Sequence, residues 1–445
     1  MLGSTLLLTL ATLAGLVAGF GREWLLIADW GAGAKTDAFL VAMFLPEAIR
    51  VMLAGGLLSA AMLPLWQRAD TQIQPLWLSG QIAHWLAAGL GLALAIAAAA
   101  PLLIGWIGPG LAAADRERGV EVLIWLAFTI PGFLTQAVLT VPLQAAGRFL
   151  LSGLGSLLFN LPPVVYLGWA GKQADEIWLA QSFLVGSALM ALVLFPSAWG
   201  FGWRPWLAGA KGEFAQVWRQ LWPLLLSSGA SQGLALLERL TASLLGEGSV
   251  TLVNLARKLV NIPLIALMGL NQVLLGKMSG EGEQSRLRLM QRGLSICTRL
   301  TLLPVAGLML ISPLLVTKLL PAGLSQGPLP LLLALFALSI VFGSWNALLA
   351  RYFYAGADTR TPLLCELSGS GVQAVLLLAL PAYLGIWGLP AAVMGGVFST
   401  GVLLAGKVSN GLWRRLAKLS LLALLVCGAC LFTLFQLYPA LAATL

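Results

Sequence analysis

Long apolar stretches dominate this 445-residue chain and leave few places for charge. Only 10% of the residues are charged and 59% are hydrophobic, with a mean hydropathy of +0.91. A helix crosses the bilayer core with roughly 20 apolar residues, and lipid offers no partners for unsatisfied backbone groups. The sequence therefore predicts an all-α polytopic membrane protein whose surroundings are the phospholipid bilayer.

Glycines, prolines and charge clusters divide the chain into about thirteen apolar spans. Their approximate bounds are 3–28, 36–66, 77–106, 119–146, 149–170, 177–200, 216–245, 249–277, 290–320, 328–354, 362–383, 386–407 and 417–439. The longest loop, at about 201–215, separates two sets of six, an arrangement common in transporters with internal repeats. We therefore predict an N-lobe (1–211), a C-lobe (212–409) and one extra C-terminal helix (410–445), with fourteen spans as the alternative count.

The loop cations indicate the orientation. With the N-terminus in the cytoplasm, most of them fall on the cytoplasmic side, as the positive-inside rule requires. These are Arg68, Arg148, Arg204, Lys211, Arg219, Lys277, Arg286, Arg288, Arg292, Arg351, Arg360, Lys407, Arg414, Arg415 and Lys418. The opposite side holds Lys35, Arg116, Arg118 and Lys172. The net charge of +9 thus reflects membrane topology, and no nucleic-acid partner is predicted.

Several charges lie inside the predicted spans, where they are costly. Arg50 is ~22 Å from either end of its span at 1.5 Å per residue, and a charge there costs roughly 2.5 to 3.5 kcal/mol. The deep cations are Arg22, Arg50, Arg239, Arg257 and Lys258, and the available acids are Glu23, Asp37, Glu47 and Glu238. Ion pairing is one interpretation. However, the cations outnumber the acids, and the side chains of sequence neighbours such as Arg22 and Glu23 point ~100° apart on a helix.

The second interpretation is a hydrated central cavity lined by guanidinium groups, which bind phosphate in a planar, bidentate manner. Glycines and Pro46 near these charges would let the helices bend or approach closely. His84 and the four cysteines are scattered over apolar stretches and suggest no metal or redox site. No loop outside the membrane is long enough for a catalytic domain, so a transporter without a metal or cofactor is predicted rather than an enzyme.

Three segments carry a family resemblance. GFGREWLLIADWGAGAKTDAFLVAMFLPEAIRVMLAGGLLSAAMLPLW (19–66) resembles the first two helices of the MurJ/MviN family. GSVTLVNLARKLVNIPLIALMGLNQVLLGKMS (248–279) is similar to its eighth helix, and RYFYAGADTRTP (351–362) to one of its loops. The resemblance covers about the first twelve spans. It implies two six-helix lobes of the kind shared with multidrug extruders, and a cationic cavity onto which Arg22, Asp37, Arg50 and Arg257 fall.

That family implies a flippase that moves lipid II, a polyprenyl-pyrophosphate-linked murein precursor, to the outer leaflet of the bacterial cytoplasmic membrane by alternating access. Leu16 stands where the family commonly has another arginine, and only one extra C-terminal helix is found. A flippase for an exopolysaccharide or O-antigen repeat therefore stays an alternative, and a multidrug exporter is a weaker one. A monomer is expected, and coupling to the membrane potential, to H⁺ or to Na⁺ is open.

Overall fold

The computed structural model describes residues 2–204, 213–261, 278, 281–319, 327–356, 358–408 and 410–438. All regular secondary structure within these ranges is helical. The chain forms two compact units, residues 1–236 and 237–445. The lobe boundaries predicted after residues 211 and 409 fall on residues outside the described ranges and stay predictions.

Unit 1 begins with a long helix and continues through shorter helices joined by tight turns. Its helices are α1 (Leu2–Trp30), α2 (Ala34–Ile49), a π-helical segment (Arg50–Leu57), α3 (Leu58–Arg68), α4 (Gln74–Ala98), α5 (Ala100–Ile107), α6 (Ala113–Ala127), α7 (Ile130–Ala145), α8 (Phe149–Gly153), α9 (Gly155–Ala170), α10 (Glu176–Leu192) and α11 (Phe195–Gly200). Each apolar stretch predicted in this unit thus coincides with helix.

Prolines explain why three predicted spans are divided. α5, α7 and α11 each start with proline in their first turn, where the missing backbone N–H costs nothing. The preceding helix ends there because proline cannot donate to the carbonyl one turn earlier. The predicted spans 77–106, 119–146 and 177–200 therefore each contain two successive helices.

Unit 2 contains the remaining helices. They are the end of α12 (Glu213–Ser243), α13 (249–261, where the described range ends), α14 (Glu283–Leu319), α15 (Leu329–Tyr354), α16 (Arg360–Leu384), α17 (Gly388–Gly406) and α18 (Asn410–Leu437). The first part of α12, up to Leu236, belongs to unit 1.

Eight helical segments among the described residues are long and apolar enough to cross a membrane. They are Ala34–Arg68, Gln74–Ala98, Ala113–Ala145, Glu176–Gly200, Glu283–Lys318, Leu329–Tyr354, Arg360–Val408 and Leu412–Leu437. The segment Arg360–Val408 contains both α16 and α17. The fold class is confirmed as an all-helical multi-span protein, and the count of thirteen crossings stays a prediction.

Small residues bring helices close together within each unit. In unit 1, a Cβ added at Gly132 on α7 would lie 2.6 Å from the backbone oxygen of Ser187 on α10. In unit 2, a Cβ at Gly369 on α16 would overlap the hydroxyl of Thr400 on α17. Lipid is as apolar as the helix surface, so the hydrophobic effect does not drive helices together inside a membrane. Helices there associate through close van der Waals packing of this kind.

The turn before α16 is fixed by Asp358, in the loop that carries the family resemblance. Its Oδ1 accepts hydrogen bonds from the backbone N–H groups of Thr361 and Arg360, both at 3.0 Å. These bonds, with Thr361 contributing most, hold the pKa of the exposed Asp358 carboxyl below its usual value. The conspicuous acid of this loop therefore starts a helix.

Candidate functional site

Arg22 lies on the face of α1 that packs against α9. Gly15, about two turns earlier on α1, permits this approach, because a Cβ there would lie 2.7 Å from the Cβ of Ser156. Arg22 Nη1 donates to Asn160 Oδ1 at 2.8 Å, and Asn160 Nδ2 donates to the backbone oxygen of Ser156 at 2.7 Å. The packing of α1 on α9 therefore both places Arg22 and orients the amide that receives it.

The other edge of Arg22 is paired with its sequence neighbour. Arg22 Nη2 lies 2.9 Å from Glu23 Oε2, and the two side chains are only 5% and 1% exposed. The guanidinium carbon also lies 5.0 Å from the ring centroid of Phe183. The expectation that these neighbours point too far apart to pair is wrong, because the long arginine side chain folds back across the helix. Arg22 is thus a buried, paired cation, and its predicted role in a cavity stays a prediction.

Arg50 is held much more loosely. It lies near the middle of the 35-residue helical run Ala34–Arg68, as predicted. Its Nη2 is 3.5 Å from Glu47 Oε1, and the two side chains are 21% and 26% exposed. Its guanidinium carbon lies 4.9 Å from the ring centroid of Phe159, and its buried Nε has no hydrogen-bond partner among the described residues.

The backbone departs from a regular helix immediately at Arg50. Residues Arg50–Leu57 form a π-helical segment in which Gly56 has a φ of 129°. This conformation is open to glycine and strained for other residues, and π-helical segments occur frequently at functional sites. The bend expected from the glycines near Arg50 is therefore present, beside a partly exposed arginine.

Unit 2 contains a second arginine site, built from α12 and α13. Arg257 Nη2 lies 2.9 Å from Glu238 Oε2, and the side chains are 35% and 6% exposed. The Arg257 guanidinium carbon lies 5.4 Å from the ring centroid of Phe336 on α15. The acid is therefore buried while the arginine keeps an accessible edge.

The neighbouring charges follow the same two helices. Arg239 Nη2 donates to Asn254 Oδ1 at 3.1 Å, so Glu238 and Arg239 both reach from α12 to α13. Lys258 follows Arg257 on α13 and is partly buried. The structure thus pairs Glu238 with Arg257 and places Arg239 against the same helix α13, on which Lys258 also lies.

Asp37 lies elsewhere in unit 1. It is 2% exposed in the first turn of α2, about 20 Å along the helix axis from Arg50 at 1.5 Å per residue. Its neighbour Lys35 donates to the backbone oxygen of Ala174 at 2.8 Å and lies 3.8 Å from Glu176 Oε2. Asp37 therefore belongs to the end of unit 1 where α2 and α10 begin, and Glu47 is the acid beside Arg50.

Sequence reasoning missed the residues that hold the arginines, among them Asn160, Asn254, Phe159 and Phe336. Asn160 could have been noticed as an amide within the apolar span 149–170, since polar residues there are expected to have a partner. The two phenylalanines gave no signal, because many phenylalanines in such a chain simply face lipid or core.

No cofactor or metal site emerges from the part of the chain that the structure describes, where no three His, Cys, Asp or Glu side chains form a group. Thr400 Oγ1 donates to the backbone oxygen of Gly396 within its own helix at 3.1 Å. Coupling of transport to the membrane potential, to H⁺ or to Na⁺ therefore stays open.

Comparisons with known proteins agree with the sequence resemblance. A family model described as lipid II flippase MurJ matches residues 28–441. A probable lipid II flippase MurJ of Thermotoga maritima is 25% identical over 428 residues, covering 94% of this chain and 87% of that protein. One of Bdellovibrio bacteriovorus is 25% identical over 479 residues, covering 100% and 89% respectively.

Solved structures show the same fold. A lipid II flippase MurJ in an inward closed conformation is similar with a TM-score of 0.81 and 17% identity, covering 97% of this chain and 93% of that chain. An inward-facing multidrug resistance MATE family transporter of the MOP superfamily gives a TM-score of 0.70 and 18% identity, covering 94% of each chain. At these identities the likeness concerns the fold alone, and it confirms the predicted transporter-like fold class.

Proposed function

This chain belongs to the MurJ family of lipid II flippases, and from that membership we propose that it moves lipid II across the bacterial cytoplasmic membrane. Lipid II joins a saccharide to a polyprenyl chain through a pyrophosphate. The family consists of transporters, and we propose that this chain has no catalytic activity of its own. The curated relatives reported above are named for lipid II, which does not favour the exopolysaccharide alternative.

The observation that supports a site for the pyrophosphate is the state of Arg50. It lies at mid-depth of an apolar helix, partly exposed, with a long contact to Glu47 and an unused Nε within the described structure. A charge at that depth is costly unless it meets water or an anion. Arg257 offers a second accessible guanidinium. In this proposal Arg50 is the phosphate-binding arginine of unit 1 and Arg257 that of unit 2, and Arg22 supports the packing of unit 1.

The direction of transport follows from charge. With the N-terminus in the cytoplasm, the headgroup enters from the inside and leaves on the outside as the arginines are exposed to each side in turn. An inside-negative potential favours outward movement of each negative charge by up to ~2.3 kcal/mol per 100 mV. We propose that the protein works in this way as a monomer.

The test is rescue of a bacterium depleted of its own lipid II flippase. The wild-type gene should restore growth, and Arg50→Ala should not, because a lost charge-assisted contact to a buried anion costs about 2 to 5 kcal/mol. Arg118→Ala is the matched control, since Arg118 pairs with Glu121 and Asp175 at the surface of unit 1. Equal amounts of each protein in the membrane are verified by immunoblot.

Two outcomes would contradict this proposal. Failure of the wild-type chain to rescue growth, despite its presence in the membrane, removes lipid II as substrate. Full rescue by both Arg50→Ala and Arg257→Ala removes the arginines as the pyrophosphate site while leaving the substrate in place.

A further inference from the structure

In each unit an arginine side chain lies over the ring of a buried phenylalanine, next to a carboxylate. In unit 1 the Arg50 guanidinium carbon lies 4.9 Å from the Phe159 centroid, with Glu47 beside it. In unit 2 the Arg257 guanidinium carbon lies 5.4 Å from the Phe336 centroid, with Glu238 beside it. Phe159 lies on α9 and Phe336 lies on α15. The two units therefore repeat the same local combination of arginine, aromatic ring and carboxylate.

The Phe159 ring is a fixed platform. It is 5% exposed, and the centroids of Phe133 and Phe183 each lie 5.2 Å from its own. Phe336 is 1% exposed. Rings packed in this way cannot turn freely, whereas an arginine side chain otherwise has several rotatable bonds. The ring therefore restricts the position of the guanidinium that lies over it, through an attraction of about 0.5 to 2 kcal/mol.

A guanidinium placed against a ring still has N–H groups for hydrogen bonds to an anion. Bidentate phosphate binding uses these in-plane N–H groups. At Arg50, Glu47 occupies one edge at the long distance of 3.5 Å, and Nε makes no hydrogen bond to any described residue. Lysine could not reproduce this arrangement, because an ammonium group is a point charge without a plane.

We propose that Phe159 and Phe336 are positioning residues: Phe159 orients Arg50 within unit 1, and Phe336 orients Arg257 within unit 2, each for a phosphate group of the pyrophosphate-linked substrate. The inference rests on the proposed function and adds to it the residues that set the geometry of anion recognition. The rings do not contact the substrate. They reduce the conformational freedom that each arginine must lose when the anion binds, so the site prefers planar, bidentate recognition of a phosphoanion.

The experiment measures binding of farnesyl pyrophosphate to the purified protein in lipid nanodiscs, with farnesol as the uncharged probe. Phe159→Leu should weaken farnesyl pyrophosphate binding by roughly three- to tenfold, the range that a cation–π contact supports. Phe159→Tyr keeps the ring and should bind within about twofold of wild type. Phe39→Leu is the control for lost core packing, because Phe39 is a buried ring of unit 1 near the start of α2, 5.7 Å from the ring of Trp30, and its loss should leave binding within about twofold.

A double-mutant cycle separates positioning from general loosening. In an Arg50→Ala background, Phe159→Leu should cause no further loss, because the ring acts only through the arginine. The proposal is overturned if Phe159→Leu and Phe39→Leu weaken binding equally, or if Phe159→Leu still weakens it without Arg50. Should Phe159→Leu lower the melting temperature too far for binding assays, Phe336→Leu with Arg257→Ala provides the same cycle in unit 2.

The same measurements distinguish the binding role of Arg50 from the positioning role of Phe159. Unchanged binding of farnesyl pyrophosphate by Arg50→Ala contradicts the assignment of Arg50 under the proposed function. Reduced binding by Arg50→Ala, together with unchanged binding by Phe159→Leu, leaves that function standing and removes only the positioning role.

Discussion

The arginine sites of the two units contain the same kinds of residue, but their arginine–glutamate ion pairs differ in length and burial. In unit 1, Arg50 and Glu47 lie on the same helical run, 3.5 Å apart and both partly exposed, where the backbone becomes π-helical. In unit 2, Arg257 and Glu238 lie on different helices, 2.9 Å apart, and the acid is only 6% exposed. The first pair is a loose contact within one helix, and the second joins α12 to α13.

This difference separates recognition from stability. An anion that reaches Arg50 has only a weak counter-ion to displace, since a long and partly exposed pair contributes about 0 to 1 kcal/mol. At Arg257 the anion approaches an accessible edge while Glu238 remains bound behind it. Substitutions at the two sites should therefore impair transport alike but affect folding differently.

The largest expected contrast is in thermal stability. Arg257→Ala leaves the buried Glu238 carboxylate without its guanidinium, which should cost about 2 kcal/mol after allowing for the exposed side of the pair. Arg50→Ala should cost less than about 1 kcal/mol. Melting temperatures in detergent, followed by intrinsic fluorescence, compare the two variants.

The double variant Arg257→Ala with Glu238→Ala is the control for this contrast. It should regain much of the lost stability, because no lone carboxylate remains buried. Equal melting temperatures for Arg50→Ala and Arg257→Ala would show that the two ion pairs contribute equally to stability. That result would contradict the difference described above.

A smaller effect is expected at the π-helical segment that begins at Arg50. Gly56→Ala should destabilise by about 1 to 2 kcal/mol, because a φ of 129° is strained for alanine even though its Cβ would meet no atom within 4 Å. Gly233→Ala on α12 also meets no atom within 4 Å, and it should stabilise by up to about 1 kcal/mol. Chemical denaturation in mixed micelles gives both values. If the two alanines behave alike, the break at Gly56 does not exist in the membrane.

The smallest expected effect tests the difference between the two carboxylates, Glu47 and Glu238. Glu47→Gln should tighten binding of farnesyl pyrophosphate by roughly two- to fivefold, because a loose competitor for Arg50 is removed. It should leave the melting temperature within error. Glu238→Gln should instead lower the melting temperature, since it weakens the tie between α12 and α13. Weaker anion binding by Glu47→Gln would contradict the view of Glu47 as a competitor.

The helical framework could be predicted from sequence because apolar length and proline position act locally. Each of the thirteen apolar stretches contains helix among its described residues, and the glycines after Arg50 correctly indicated a bend. The divisions at α5, α7 and α11 were missed. Proline breaks the hydrogen-bond ladder without interrupting hydrophobicity, so a span defined by apolar length hides it.

The partners of the charges could not be predicted in the same way. Asn160 and Phe159 lie more than one hundred positions from Arg22 and Arg50 in sequence, and only the packing of helices brings them together. Glu238 and Arg257 were recognised as charged residues on successive helices, but their pairing depends on the rotation of α12 against α13. The Arg22–Glu23 pair shows the remaining limit, since side-chain flexibility overrides the angle between neighbouring positions.

The paired burial of Arg22 has a consequence for genetics. A screen that scores every substitution for viability would rank Arg22 beside Arg50, because removing a guanidinium that satisfies Glu23 and Asn160 disturbs how α1 docks on α9. The same null phenotype would then report failed assembly at one codon and lost recognition at the other. Second-site suppressors would tell them apart: changes at Asn160 or Glu23 should restore Arg22 alleles, and none there should restore Arg50 alleles.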